Sequence, residues 1–258
     1  MVVLAIGDIC GETGIEFLSI KLPLLRKLYG VDLVIANGEN SAPNGVGITV
    51  SSVADILSSG VDIVTTGNHC FSSAGYENLF ENTYGLLRPY NLGRGLPGKG
   101  YMVYDKGRYQ LLVVNLMGIS FMGINSTNFY DAMDEILETA STNIVIVDFH
   151  AEYTSEKIAF ARNFDGKLSL VFGTHTHVPT ADETIFPSGT AYITDIGMTG
   201  AKESVIGVEI FKAIKRQRYA APIRLAPAKG SAILSGILVD IDEKTGKAKA
   251  IERLQIEE

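Results

Sequence analysis

The chain has 258 residues, 46% of them hydrophobic and 20% charged, with a formal net charge of −7. This is the composition of an ordinary soluble globular protein, long enough to bury a full core without disulfide or metal staples. The acidic balance removes any general attraction for polyanions, two cysteines make no disulfide framework, and no apolar run approaches the ~20 residues that span a bilayer.

In chain order, VVLAI (2–6) reads as a buried strand ending at Gly7-Asp8. The stretch MVVLAIGD has no basic segment and no cleavage site, so no signal peptide and no membrane span are expected, and the expected compartment is the cytoplasm. Residues 15–29 carry helical spacing, interrupted or kinked at Pro23. DLVIA (32–36) is a second strand, ending at NGEN. SSVADILSSG predicts a short helix with a serine N-cap and a terminal glycine. VDIVTTGNH predicts a third strand with a polar end. Strand alternating with helix implies parallel strands joined by crossover helices.

The middle reads differently. Residues 101–118 predict two strands around a tight turn at Asp105-Lys106-Gly107. A helix follows in STNFYDAMDEILETA. NIVIVDFH and LSLVFGTHTH are further buried strands with polar ends, and KAIKRQR (212–218), the one basic cluster, has the spacing of a solvated helix face, the expected reading over a nucleic-acid patch. The tail folds back as a hairpin around residues 243–246. With no linker, low-complexity segment or repeat, a single domain over 1–258 is expected.

The polar strand ends carry the chemistry. Asp8, Glu39 with Asn40, Asn68 with His69, His150, and His175 with His177 each follow an apolar run, and these bursts hold all four histidines of the chain. In open α/β sheets ligands bind at the carboxyl ends of strands, so strands sharing a sheet would bring the bursts to one edge. A lone histidine at a strand end is more often structural than a ligand; four of four beside carboxylates and carboxamides are not explained that way. The mixture suits Mn, Fe or Zn. Seven or eight candidates are too many for one ion and about right for two, with Glu39 best placed to bridge. The absence of GxSxG and GxxxxGK[ST] argues against serine-based and P-loop chemistry.

Together, GD, GNH, a later histidine and GTHTH resemble the calcineurin-like metallophosphoesterases. The usual DxH is here Asp8-Ile9-Cys10, GDxxD is Gly38-Glu39-Asn40, and Cys70 rather than an acid follows GNH. These departures match a narrower group, the YmdB-like phosphodiesterases, which the chain resembles nearly end to end through IGDICGETG, NGENS, TGNH, VDFHAE, GTHTHVPTAD and GTAYITDIGMTG.

The resemblance implies an α/β four-layer sandwich, two facing mixed β-sheets flanked by helices. It implies two metal ions per chain, iron or manganese before zinc. Asp8, Glu39, Asn40 and His177 correspond to the ligands of one, and Glu39, Asn68, His150 and His175 to those of the other. His69 corresponds to the proton donor. The implied reaction is attack of a metal-bridged hydroxide on a small phosphodiester, with 2′,3′- or 3′,5′-cyclic nucleotides as candidates and phosphate as product or mimic. No stable binding of nucleic-acid duplex is expected, and oligomeric state stays open, a homo-oligomer included. A phosphomonoesterase and a metal-binding regulator without turnover are the alternatives. Arg88 and Lys99 are weaker candidates for phosphate contacts, and Glu152, Ser155 and Glu156 for outer-shell or helix-capping roles.

Overall fold

The computed structural model describes residues 1–258. Its first half runs β1 (Val2–Ile6), β2 (Asp8–Ile9), α1 (Gly11–Tyr29), β3 (Leu33–Asn37), α2 (Val50–Ser58), β4 (Ile63–Thr65), α3 (Tyr76–Asn82), β5 (Tyr101–Asp105) and β6 (Gln110–Met117). The second half runs α4 (Phe129–Thr139), β7 (Val145–His150), α5 (Thr154–Asn163), β8 (Leu170–Thr174), β9 (Thr184–Ile185), β10 (Ala191–Ile193), β11 (Met198–Ala201), α6 (Ile210–Tyr219), β12 (Ala232–Ile241) and β13 (Ala248–Glu257).

The strands form two sheets. One has seven strands in the order β2-β11-β12-β1-β3-β4, with β13 along the other edge of β12. The other has six, in the order β5-β6-β7-β8-β10-β9. β1, β3 and β4 are parallel, as the alternation with α1 and α2 predicts. Antiparallel partners, β12 on β1 and β5 on β6, make both sheets mixed.

Near-continuous apolar strands bury both faces, and the period of two sorts their side chains into layers. In β3, Leu33 and Ile35 join Val113, Ile146, Leu170 and Phe172 of the second sheet in a core between the sheets. Val34 and Ala36 point the other way, into a core with Leu18 and Leu22 of α1 and Val53 and Ile56 of α2. A third core packs Val114 and Val147 against Met133 of α4 and Phe160 of α5. The result is the expected four-layer sandwich: helices, sheet, sheet, helices.

Several local details differ from expectation. α1 begins four residues early, at Gly11, and passes through Pro23 without ending. Pro23 lies on the exposed side, where water reaches the carbonyl left without its partner. The N-cap of α2 is Thr49 rather than a serine, and Ser52 completes a capping box with it. The strands with polar ends do not share one sheet: β1, β3 and β4 belong to the first, and β7 and β8 to the second. Their carboxyl ends still meet, across the gap between the sheets. Asn37 at the end of β3 donates to Asp148 in β7 at 3.1 Å.

Candidate metal centre

His150 ends β7 with its imidazole fully buried. Its Nδ1 faces the Thr174 hydroxyl at 2.8 Å, and that hydroxyl gives its one proton to Asp148 Oδ1 at 2.7 Å. Thr174 therefore accepts from Nδ1–H, and the lone pair of His150 sits on Nε2. Three heteroatoms surround that Nε2 at 3.1 Å: Glu39 Oε1, Asn68 Oδ1 and His175 Nδ1.

The other two imidazoles are held the same way. His175 Nε2 lies 3.1 Å from the Glu152 carboxylate, which only accepts, so its lone pair is on the inward Nδ1. His177 Nδ1 donates to the Ile206 carbonyl at 2.9 Å, which turns its Nε2 lone pair toward Asp8 Oδ1, 3.8 Å away. Each histidine is thus anchored through its outer nitrogen, the arrangement that orients imidazole ligands of a metal.

The donor set fits metal ligation. With His150 neutral, the three lone-pair atoms around its Nε2 at 3.1 Å have no proton to share, and such spacings are the edges of a coordination shell with bonds of ~2.1 Å. Asp8 Oδ1 and Asn40 Oδ1 are buried without any hydrogen-bond partner, and buried polar atoms are otherwise almost always paired. Asn40 Nδ2 is taken by the Gly45 carbonyl at 3.3 Å, which fixes the amide with its oxygen free. Glu39, His150 and His175 form the tightest group. Asp8 and His177 stand beside it, and Asp8 Oδ2 is tied to it by the His175 backbone N–H at 3.2 Å.

The electrostatics match. Burial pushes the Glu39 carboxyl up, but His150 more than reverses this and holds it down at about 2. Burial pushes Asp8 up to about 6, even though His177 and His150 pull against it. Burial, then His150, pushes His175 down to about 3, so it is neutral and able to ligate. Burial disfavours charge on His150, yet Glu39 and Asp8 raise it above its ordinary value. The cluster attracts one positive charge into its centre; a proton is one such charge and a metal ion another.

Backbone conformation does much of the positioning. His175 (φ 102°) and His177 (φ 65°) lie in the left-handed region, so GTHTH is not the extended segment in which alternate residues share a face. Two tight reversals point both rings inward. Ile206, also left-handed at φ 48°, presents its carbonyl to His177. A β-branched residue in that region is strained, and such strain persists only where the surroundings over-determine it. Gly67 is required for a steric reason: a Cβ there would lie 2.1 Å from His150 Cδ2 and 2.4 Å from Glu39 Oε2. Below the loop, buried Lys157 donates to the Thr174 carbonyl and to Asp195, both at 2.9 Å, and Asp195 accepts from Thr176 N–H.

His69 stands half-buried at the mouth of the centre, its Nε2 3.4 Å from Asn68 Nδ2 and its backbone N–H on Glu39 Oε2. It lines a cleft of about 400 Å³ with Glu39, Asn40, His175 and His177. Val46, Ile206, Val208, Leu225 and Pro227 also line it and make part of its wall apolar.

All eight residues singled out in the sequence meet at this cleft or directly behind it. Arg88 does not: it is buried and donates to the Pro89, Leu96 and Pro97 carbonyls. Lys99 lies exposed on another face. Glu156 caps the 119–120 turn rather than its own helix. Cys10 Sγ is 3.5 Å from His177 Nδ1, on the outer side of the ring, away from the ligand atoms. Asp148 and Ile206 were missed; a carboxylate two residues before His150 on a buried strand was the one available signal for the first, and nothing marked the second.

A family model described as YmdB-like protein matches residues 4–254. The chain belongs to the YmdB-like family. Among its relatives, the 2′,3′-cyclic-nucleotide 2′-phosphodiesterase of Bacillus subtilis is 40% identical over 257 residues, 99% of this chain and 97% of that one. A crystal structure of a hypothetical protein from Thermus thermophilus superposes with a TM-score of 0.94 at 40% identity, covering all of both chains. That of a novel phosphatase from Mycoplasma pneumoniae gives 0.94 at 34% identity, over 100% of this chain and 93% of that one. The fold is the calcineurin-like phosphoesterase sandwich the sequence pointed to.

Proposed function

We propose that the chain is a metal-dependent phosphoric diester hydrolase, one catalytic domain over residues 1–258, that opens small cyclic phosphodiesters such as 2′,3′- or 3′,5′-cyclic nucleotides. The observation that carries this is the convergence of three imidazole lone pairs, each fixed by an outer hydrogen bond, on buried carboxylate and carboxamide oxygens that lack protons to share. The relationship to the Bacillus subtilis phosphodiesterase supports it.

Two ions, iron or manganese before zinc, would be held by Asp8, Glu39, Asn40 and His177 on one side and by Glu39, Asn68, His150 and His175 on the other. Bound there, they supply Lewis acidity, making a water nucleophilic at neutral pH and neutralising charge on the phosphate. The chain does the rest. Asn68, with Oδ1 toward His150 and Nδ2 toward His69, links the ion-holding set to the acid–base residue. His69 gives a ring proton to the departing ribose oxygen. Val46, Ile206, Leu225 and Pro227 give sugar and base an apolar wall.

The test is a panel of cyclic nucleotides and chromogenic mono- and diesters with Mn or Fe supplied. His69→Gln should keep both metals and lose about 10²–10⁴ in kcat. Loss of metal in that variant removes the proton-donor role. Preference for monoesters would make the protein a phosphomonoesterase, and loaded metals with no turnover on either class would make it a regulator.

A further inference from the structure

α6 is the one strongly basic element of an acidic chain. Residues 210–229 carry six cations (Lys212, Lys215, Arg216, Arg218, Arg224, Lys229) and no carboxylate, whereas the rest of the chain has 16 cations against 29 carboxylates. Lys212 pairs with Glu209 and Lys229 with Glu12; Lys215, Arg216 and Arg218 have no carboxylate partner. Ala213 is the only residue α6 buries.

The helix stands at the cleft. Ile206, Gly207 and Val208 line the apolar wall just before it, and Leu225, Ala226 and Pro227 line it just after. The two segments are joined at the base of α6 by Glu209 N–H on the Ala226 carbonyl and by the Val208–Pro227 bridge. α6 is therefore an excursion of the cleft wall itself, about 15 Å long at 1.5 Å per residue.

Its outer face interleaves cations with rings. At 100° per residue, Arg218, Phe211, Lys215, Tyr219 and Lys212 share about 120° of the circumference. Phe211 and Tyr219 are 73% and 65% exposed. Lys215 Nζ lies 5.8 Å from the Phe211 ring centre, and the Arg218 guanidinium 5.7 Å from that of Tyr219. A helix lying in a membrane surface separates an apolar face from a cationic one; in α6 Ile210 and Ile214 are 44% and 53% exposed, but Arg218 lies between Ile214 and Phe211 around the helix. Mixed rings and cations instead match a single-stranded nucleic acid, whose bases stack and whose phosphates need positive charge.

We propose that the substrate reaching this cleft is the end of a single-stranded RNA closed as a 2′,3′-cyclic phosphate, its preceding nucleotides lying along α6. This rests on the phosphodiesterase reading above. Water adds across one P–O bond of the terminal ring; phosphorus keeps the hydroxyl, and the released ribose oxygen takes the proton. The span of α6 matches about four steps of a stacked strand at ~3.4 Å each. Charge confined to one helix provides the local attraction that the net charge of −7 denies to the rest of the surface.

The experiment compares kcat/KM of the Mn-loaded protein for a 2′,3′-cyclic mononucleotide and for an RNA of about ten nucleotides with the same cyclic end. The RNA should be favoured at least ~10-fold at about 50 mM salt. With three phosphate contacts, its kcat/KM should fall ~20-fold by about 200 mM, while that of the mononucleotide changes little. Lys215→Glu, Arg216→Glu and Arg218→Glu combined should remove the RNA advantage and leave mononucleotide hydrolysis unchanged. Hydrolysis of the mononucleotide without an RNA advantage, or an advantage that survives charge reversal, overturns this proposal alone. Hydrolysis of neither the mononucleotide nor the RNA overturns the phosphodiesterase reading and this proposal with it. Sedimentation with phosphatidylserine vesicles, lost on charge reversal and without an RNA preference, would assign α6 to a membrane surface and overturn it as well.

Discussion

Replacing Lys157 by methionine removes a charge while keeping most of the side-chain volume. Lys157 is fully buried, and its ammonium serves Asp195 Oδ2 and the Thr174 carbonyl, each at 2.9 Å. Asp195 would keep the Thr176 and Gly197 N–H groups but lose its counter-charge. Removing one partner of a buried pair costs about 3–5 kcal/mol, because the other charge stays desolvated. With an m-value near 3 kcal/mol/M in urea, the midpoint should drop by about 1–1.7 M. Lys157→Met combined with Asp195→Asn should be less destabilised than the sum of the two single variants, by at least ~2 kcal/mol, since no uncompensated charge remains. The assay is urea denaturation of chelated protein, so that metal binding does not contribute, followed by far-UV circular dichroism; the chain has no tryptophan. A midpoint shift under ~0.3 M for Lys157→Met, or additive single variants, would refute the reasoning. The pair would then be incidental to how the loop holding His175 is supported.

Three further outcomes are expected. Gly67→Ala should abolish binding of one metal equivalent by elemental analysis, because the new Cβ overlaps His150 and Glu39. Asp148→Asn should weaken metal affinity about 10–100-fold in a competition titration, since Asp148 orders the Thr174 hydroxyl that sets the His150 tautomer. Burial raises Asp8 to about 6, so metal affinity should fall as pH drops through about 6, where a proton competes for the carboxylate. For chelated protein the sign reverses. The folded state holds a proton that the unfolded chain releases near its ordinary value, so the Asp8 contribution to stability is full at low pH and lost as pH rises through about 6. Calorimetric titration of Mn across pH 5–8 and urea midpoints of chelated protein over a similar range check both signs.

The long strands and their polar ends were readable because they are local: an apolar run of the right length followed by a burst of ligand-type residues needs no knowledge of the rest of the fold. The eight site residues all lie in such bursts. The assignment of strands to two sheets was not readable in the same way. Both faces of every central strand are apolar, so the pattern that announces burial does not say which sheet lies on which side. Short elements such as β9 and β11 have too few residues for a period to register. The supports of the site were hidden for another reason. Lys157 and Asp195 are 38 residues apart, nothing in the sequence pairs them, and they become a buried pair only because a helix crosses beneath the loop. Ile206 acts through its carbonyl, which every residue has, and its side chain gives no hint of a backbone held left-handed.

The metal centre also has a temporal dimension. Asp8 and His175 are 167 residues apart, and their contact closes the site between two sheets. At the ~5–20 residues per second of protein synthesis, His175 follows Asp8 by roughly 8–33 s. Through most of that time Asp8, and then Glu39 and Asn68, are present without His150, His175 and His177, the imidazoles proposed to complete the two ligand sets. Without imidazoles, an oxygen-donor half-site of this kind suits magnesium, calcium or manganese and does not select iron or zinc. On the proposed two-ion reading, metal choice would fall to the finished sandwich rather than to whichever ion first meets the nascent chain.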